Sequence, residues 1–85
     1  MAKYSNCEEV IYKILSEYSC LDSQEIQAFG RRLYKEDFTT GSISGHLRKM
    51  AEAGIAACSI DEHNKKVWWL TKFGKDKARK ENLIK

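Results

Sequence analysis

Seven residues between positions 40 and 49 have the types and spacing to grip a polyanion: Thr40, Ser42, Ser44, Gly45, His46, Arg48 and Lys49. Hydroxyls donate to phosphate oxygens and donate to or accept from base edges, and cations neutralise phosphate. A glycine among them lets the backbone itself come close. A second basic pair, Lys65-Lys66, has the same chemistry to offer, although Asp61 and Glu62 beside it would repel a phosphate. No other chemistry is written as clearly. Metal sites need clustered Cys, His or carboxylate ligands. Here no C-x-C or C-x-x-C occurs, and Cys58 and His63 stand five residues apart without evident partners. There is no P-loop, no Rossmann glycine pattern and no H-E-x-x-H motif. A chain of 85 residues also has little room for a deep substrate pocket. Neither a cofactor nor an enzymatic activity is expected.

For the seven residues to act together, one element must hold them on a shared surface. Ile43, Leu47, Met50, Ala51 and Gly54 recur at helical spacing and define a buried face. The 100° step then turns Gly41, Ser42, Gly45, Arg48, Lys49 and Glu52 outward, with Ser44 and His46 at the flanks. Thr40 or Thr39 caps this helix. Gly54 is the expected left-handed stop, after which Ile55 packs back. Entering a groove by its N-terminus, such a helix would present Thr40, Ser42 and Gly45 deepest.

The remaining elements follow from caps and periodicity. Ser5-x-x-Glu8 starts a first helix over about 6–18, with Cys7, Val10, Ile11, Ile14, Leu15 and Tyr18 on one stripe. Asp22 with Glu25 is a second capping box, and Leu21 is placed to staple onto Ile26. The second helix spans about 23–34 and buries Ile26, Phe29 and Leu33. Gly30 inside it costs roughly 1 kcal/mol against alanine, which close approach of a neighbouring helix would offset. Tyr34 to Thr39 is a turn, with Phe38 as a core plug and room for a short strand. Ala56–Ile60 and Lys66–Thr71 read as strands joined by a turn in which Asn64 takes positive φ. Alternation sends one of Trp68 and Trp69 inward. Thr71 caps a final helix over about 72–83, whose apolar residues are Phe73, Ala78, Leu83 and Ile84.

Composition narrows the class. The 85 residues suit one domain, 1–85, and 42% hydrophobic content supports one small core. Cys7, Cys20 and Cys58 are an odd number without paired spacing, which favours reduced, buried thiols. No apolar run approaches the ~20 residues of a membrane span and no signal-peptide pattern is present, so cytoplasmic residence is expected. Net charge is only +3, but residues 1–38 hold five basic and seven acidic side chains, and residues 39–85 ten and five. The halves therefore differ in sign, and the basic one contains the seven residues above.

The segment Ser44-Gly45-His46-Leu47-Arg48-Lys49-Met50-Ala51-Glu52-Ala53-Gly54-Ile55-Ala56 resembles the recognition helix of the ArsR and MarR groups of regulators. Val67-Trp68-Trp69-Leu70-Thr71-Lys72-Phe73-Gly74 is similar to their second wing strand and the threonine-capped helix after it. The likeness covers about half of the chain. It implies an α+β winged helix-turn-helix fold: three core helices, a β-hairpin wing and a C-terminal helix. It further implies double-stranded DNA as partner, transcriptional repression and often a homodimer. Ser42, Ser44, His46 and Lys49 would then lie in the DNA interface, with wing residues near the minor groove. Gly45 departs from the pattern, which usually has a long polar side chain there. A competing reading is a winged-helix protein-interaction module, with an exposed Trp68 or Trp69 and Tyr12 as its apolar contact patch.

Overall fold

Local start and stop signals set the order of elements in the computed structural model, which describes residues 6–82. Helix α1 is Asn6–Glu17, α2 Ser23–Tyr34, α3 Thr40–Glu52; strands β1 (Ala56–Ile60) and β2 (Lys66–Leu70) follow, then α4 (Lys72–Lys80). The expected Ser5 cap lies outside the described residues, as do Leu83 and Ile84. At α2 the capping box forms in full. Asp22 accepts from the Glu25 N–H at 2.7 Å, and the Asp22 N–H donates back to Glu25 at 3.1 Å. Thr39, not Thr40, caps α3 by accepting from the Ser42 N–H at 3.1 Å. Gly54 ends that region with φ 78°, and Asn64 turns the hairpin with φ 65°.

The three first helices pack on one another, β2 lies against α1, β1 against α3, and α4 docks on β2. Tyr12, Ile14, Ile26, Ile43, Leu47 and Met50 are fully buried at the centre. Each contributes about 1.5–3 kcal/mol by leaving water. The hairpin is antiparallel with Ala56 opposite Leu70 and Ile60 opposite Lys66. No strand forms between α2 and α3. The third pairing comes instead from Leu21, which bridges Trp68 with reciprocal hydrogen bonds of 2.8 and 3.1 Å. This bridge ties the α1–α2 connection to the middle of β2.

Several burial expectations are corrected. Tyr12, off the stripe read for α1, is wholly buried because α1 is covered on more than one side, by α2, α3 and β2. Leu33 is 46% exposed, since α2 outruns the surface that covers Ile26 and Gly30. Phe29 is half-buried and stacks on Tyr18 with ring centroids 4.6 Å apart. Cys7 is buried and Cys58 half-buried, but Cys20 is exposed. Gly30 does not mark a close approach: a Cβ there would sit 3.8 Å from the Glu36 carbonyl oxygen and 3.9 Å from Val10, ordinary contact distances. The close approach is at Gly74. A Cβ on that residue would lie 2.9 Å from the Ile55 carbonyl carbon and collide with its oxygen.

Candidate nucleic-acid interface

Helix α3 is anchored at both ends before any ligand arrives. Its N-terminus is closed by the Thr39 cap. At its far end Thr71 clasps the chain: its hydroxyl lies 2.6 Å from the Gly54 carbonyl oxygen and 3.1 Å from that of Ile55. The same hydroxyl accepts the Gly74 N–H at 3.0 Å, capping α4. One side chain thus joins the end of α3 to the start of α4, and Gly74 makes the approach sterically feasible.

Between these anchors Ile43, Leu47 and Met50 turn inward, as their spacing requires. Gly41, Ser42, Gly45, Arg48, Lys49 and Glu52 are exposed; Thr40, Ser44 and His46 are half-buried. Arg48 and Lys49 lie one after the other on the exposed surface of this α3 ridge. A Cβ added at Gly41 or Gly45 would meet nothing within 4 Å. The fold itself therefore does not require glycine at either position, although a mid-helix glycine costs about 1 kcal/mol. Ser42 is engaged from beneath. Its hydroxyl donates to the Cys7 sulfur at 3.9 Å, a long, weak contact that links α3 to the start of α1. Burial pushes the Cys7 thiol pKa up, and Ser42 opposes part of that rise. The role of Cys7 beneath the helix was not legible in its sequence position, thirty-five residues away.

The hairpin tip is built by Asp61. Its carboxylate accepts the N–H groups of His63 at 2.9 Å and Lys65 at 2.8 Å. Its backbone closes the turn with Lys65 at 2.8 Å. The acid that the sequence set against phosphate binding is thus employed in shaping the turn. Lys65 lies 3.8 Å from Asp22, and Lys66 sits 5.1 Å from the centroid of the Trp68 ring. Both lysines stay exposed. Exposed ion pairs are worth about 0–1 kcal/mol, so a phosphate can displace such a contact. Trp68 is the inward tryptophan, 6% exposed, and Trp69 is half-buried. Of the apolar patch expected from Trp68 or Trp69 with Tyr12, Trp68 and Tyr12 belong to the core and only Trp69 is partly open to solvent.

No family model matches the chain, and no curated relative does. Solved structures do match. The fold is a winged helix-turn-helix. RosR of H. salinarum superposes with a TM-score of 0.79 at 18% identity, over 94% of this chain and 72% of that one. A PadR family transcription regulator from Clostridium difficile gives 0.80 at 20% identity, over 92% and 84%. A MarR family transcriptional regulator from Silicibacter pomeroyi gives 0.75 at 19% identity, and the chain spans 93% of itself but about half, 49%, of that protein. Among the described residues no helix is long and apolar enough to cross a membrane, and no group of three or more Cys, His, Asp or Glu is placed to hold a metal ion.

Proposed function

We propose that this protein is a small transcription regulator that binds double-stranded DNA, with α3 in the major groove. The observation that carries the reading is the outward face of α3. It joins hydroxyls, open glycines and two exposed cations on a helix anchored at both ends, in a fold found in transcription regulators. Arg48 and Lys49 neutralise phosphates or reach guanine edges; Thr40, Ser42, Ser44 and His46 supply hydrogen bonds to phosphates and bases. Gly41 and Gly45 let the helix backbone approach the groove floor. Lys65 and Lys66 bring the hairpin against the adjacent backbone. Most of the affinity comes from counterion release, while α3 sets orientation. The reading includes no catalytic step and no cofactor. It includes repression, by occupying a promoter in the cytoplasm, and a homodimer reading half-sites roughly 34 Å apart.

Fluorescence anisotropy with random duplex DNA at two salt concentrations tests it. Binding should weaken steeply with salt, and Lys49→Ala should lower the salt slope by about one. A binding curve that is flat between low and moderate salt sinks the proposal. Absence of binding at low salt favours the protein-interaction reading instead.

A further inference from the structure

Leu21 draws the α1–α2 connection alongside β2 through its paired hydrogen bonds with Trp68. Cys20, with φ 63°, turns the chain into that bridge. Ser19 and Cys20 are thereby carried up to β2, where alternation leaves Trp69 on the outer face once Trp68 has gone into the core. Leu70 ends the strand, Thr71 caps α4 at once, and Lys75 follows one turn into that helix. The end of α1 with its connection, the hairpin and α4 so converge on one cleft of about 400 Å³. Leu15, Trp69 and Leu70 are its apolar walls, and Ser19, Cys20, Ser59 and Lys75 are its polar ones. Leu15 and Leu70 are almost wholly buried and close its inner side, while Trp69 is half-buried.

The chemistry of the lining is one-sided. Lys75 is the charged residue of the cleft, and no carboxylate lines it. Its α4 neighbours Lys77 and Arg79 pair with Glu81 and Asp76. Lys75 is exposed and has no ion-pair partner among the described residues. The Ser19 and Ser59 side chains are also exposed, without a hydrogen-bond partner among the described residues. The Trp69 ring likewise has no ring or cation partner among them. Ligand sites are typically about 300–1,000 Å³, with apolar and aromatic walls and a few convergent polar groups. This cleft stands at the small end of that range, which suits one or two rings and not a dinucleotide or a peptide. A single ammonium matches a single negative charge, and hydroxyls donate to carboxylate oxygens. An indole face offers a broad apolar surface on which a flat ring system stacks.

We propose that this cleft binds a small, planar, apolar carboxylate. Its rings lie on Trp69 against Leu15 and Leu70, and its carboxylate is held by Lys75 with hydrogen bonds from Ser19 and Ser59. Binding here is independent of DNA binding, and the test uses no DNA.

Titration of isotope-labelled protein with 2-naphthoate, followed by NMR, reads the site directly. The two indole N–H resonances are told apart by Trp69→Phe. 2-Naphthoate should move the Trp69 resonance, leave that of buried Trp68 nearly still, and saturate with a Kd of about 1 mM or tighter. Acetate carries the charge without the rings, and 2-naphthamide the rings without the charge; each should bind at least about fivefold more weakly. Lys75→Met should lose about fivefold in affinity for 2-naphthoate, and Lys75→Arg should keep most of it. A Trp69 resonance that stays still up to about 10 mM 2-naphthoate, ten times the expected Kd, overturns the proposal. Equal binding of 2-naphthamide reduces the cleft to an apolar patch and overturns it too, as does unchanged affinity in Lys75→Met. A loss that Lys75→Arg does not restore assigns the effect to disturbed packing, with the same consequence.

Discussion

Gly74→Ala adds one methyl group at the point where α4 meets the end of α3. The new Cβ would collide with the Ile55 carbonyl oxygen, which accepts the Thr71 N–H at 2.9 Å. The obstacle is backbone, so no rotamer change relieves it. Overpacking of this kind costs up to about 3 kcal/mol. Displacing the Ile55 carbonyl weakens the Thr71 hydrogen bond, at about 1 kcal/mol. Alanine's better helix propensity returns about 1 kcal/mol. The net loss is about 3 kcal/mol, which for a domain of this size lowers Tm by about 12–24 °C. Thermal melting followed by circular dichroism reads this directly. Gly45→Ala is the internal control: its Cβ meets nothing, so propensity alone acts and Tm should rise by about 4–8 °C. A Gly74→Ala protein whose Tm falls by less than about 4 °C, equivalent to roughly 1 kcal/mol, would refute the close-approach argument.

Removing the α2 capping carboxylate by Asp22→Ala should cost about 1 kcal/mol in urea denaturation, with little added by loss of the exposed Lys65 contact; an unchanged midpoint would count against the capping box. Burial raises the Cys7 pKa from its ordinary 9.0, so the folded chain keeps a proton that the unfolded chain releases. That contribution is intact below the unfolded value and is lost as pH rises through the folded one. Urea midpoints measured at neutral and alkaline pH should therefore fall with rising pH, and the fall should be shallower in Cys7→Ala.

Much of the fold is legible where the deciding interaction is short in sequence. Asp22 and Glu25 close their box over three residues, Gly54 and Asn64 take positive φ because backbone sterics select them, and Ile43, Leu47 and Met50 share a face by helical period alone. The outward set on α3 follows from that same period, which alone puts Gly45, Arg48 and Lys49 on the exposed surface. The failures have a common character. Alternation says that Trp68 and Trp69 oppose each other, but not which one enters the core. Leu33 belongs to an apolar stripe whose covering surface ends before it. Gly30 and Gly74 look alike as helical glycines, yet a Cβ would collide with a carbonyl only at Gly74.

The sequence by itself determined the order of the elements, where most of them start and the residues that α3 turns to solvent, because caps, backbone sterics and periodicity act over one or two turns of chain; α4 ends at Lys80, short of the expected 83. Only the tertiary structure decided which tryptophan is core, where the third strand pairing arises, which glycine is indispensable and that Cys7 underlies Ser42. Each of those outcomes depends on the surface a distant segment presents: Leu21 to Trp68, Ile55 to Gly74, α1 to α3. A residue's own type and neighbours do not encode what lies opposite it, and so the clasp that fixes α3 emerges only when the helices and the hairpin close on one core.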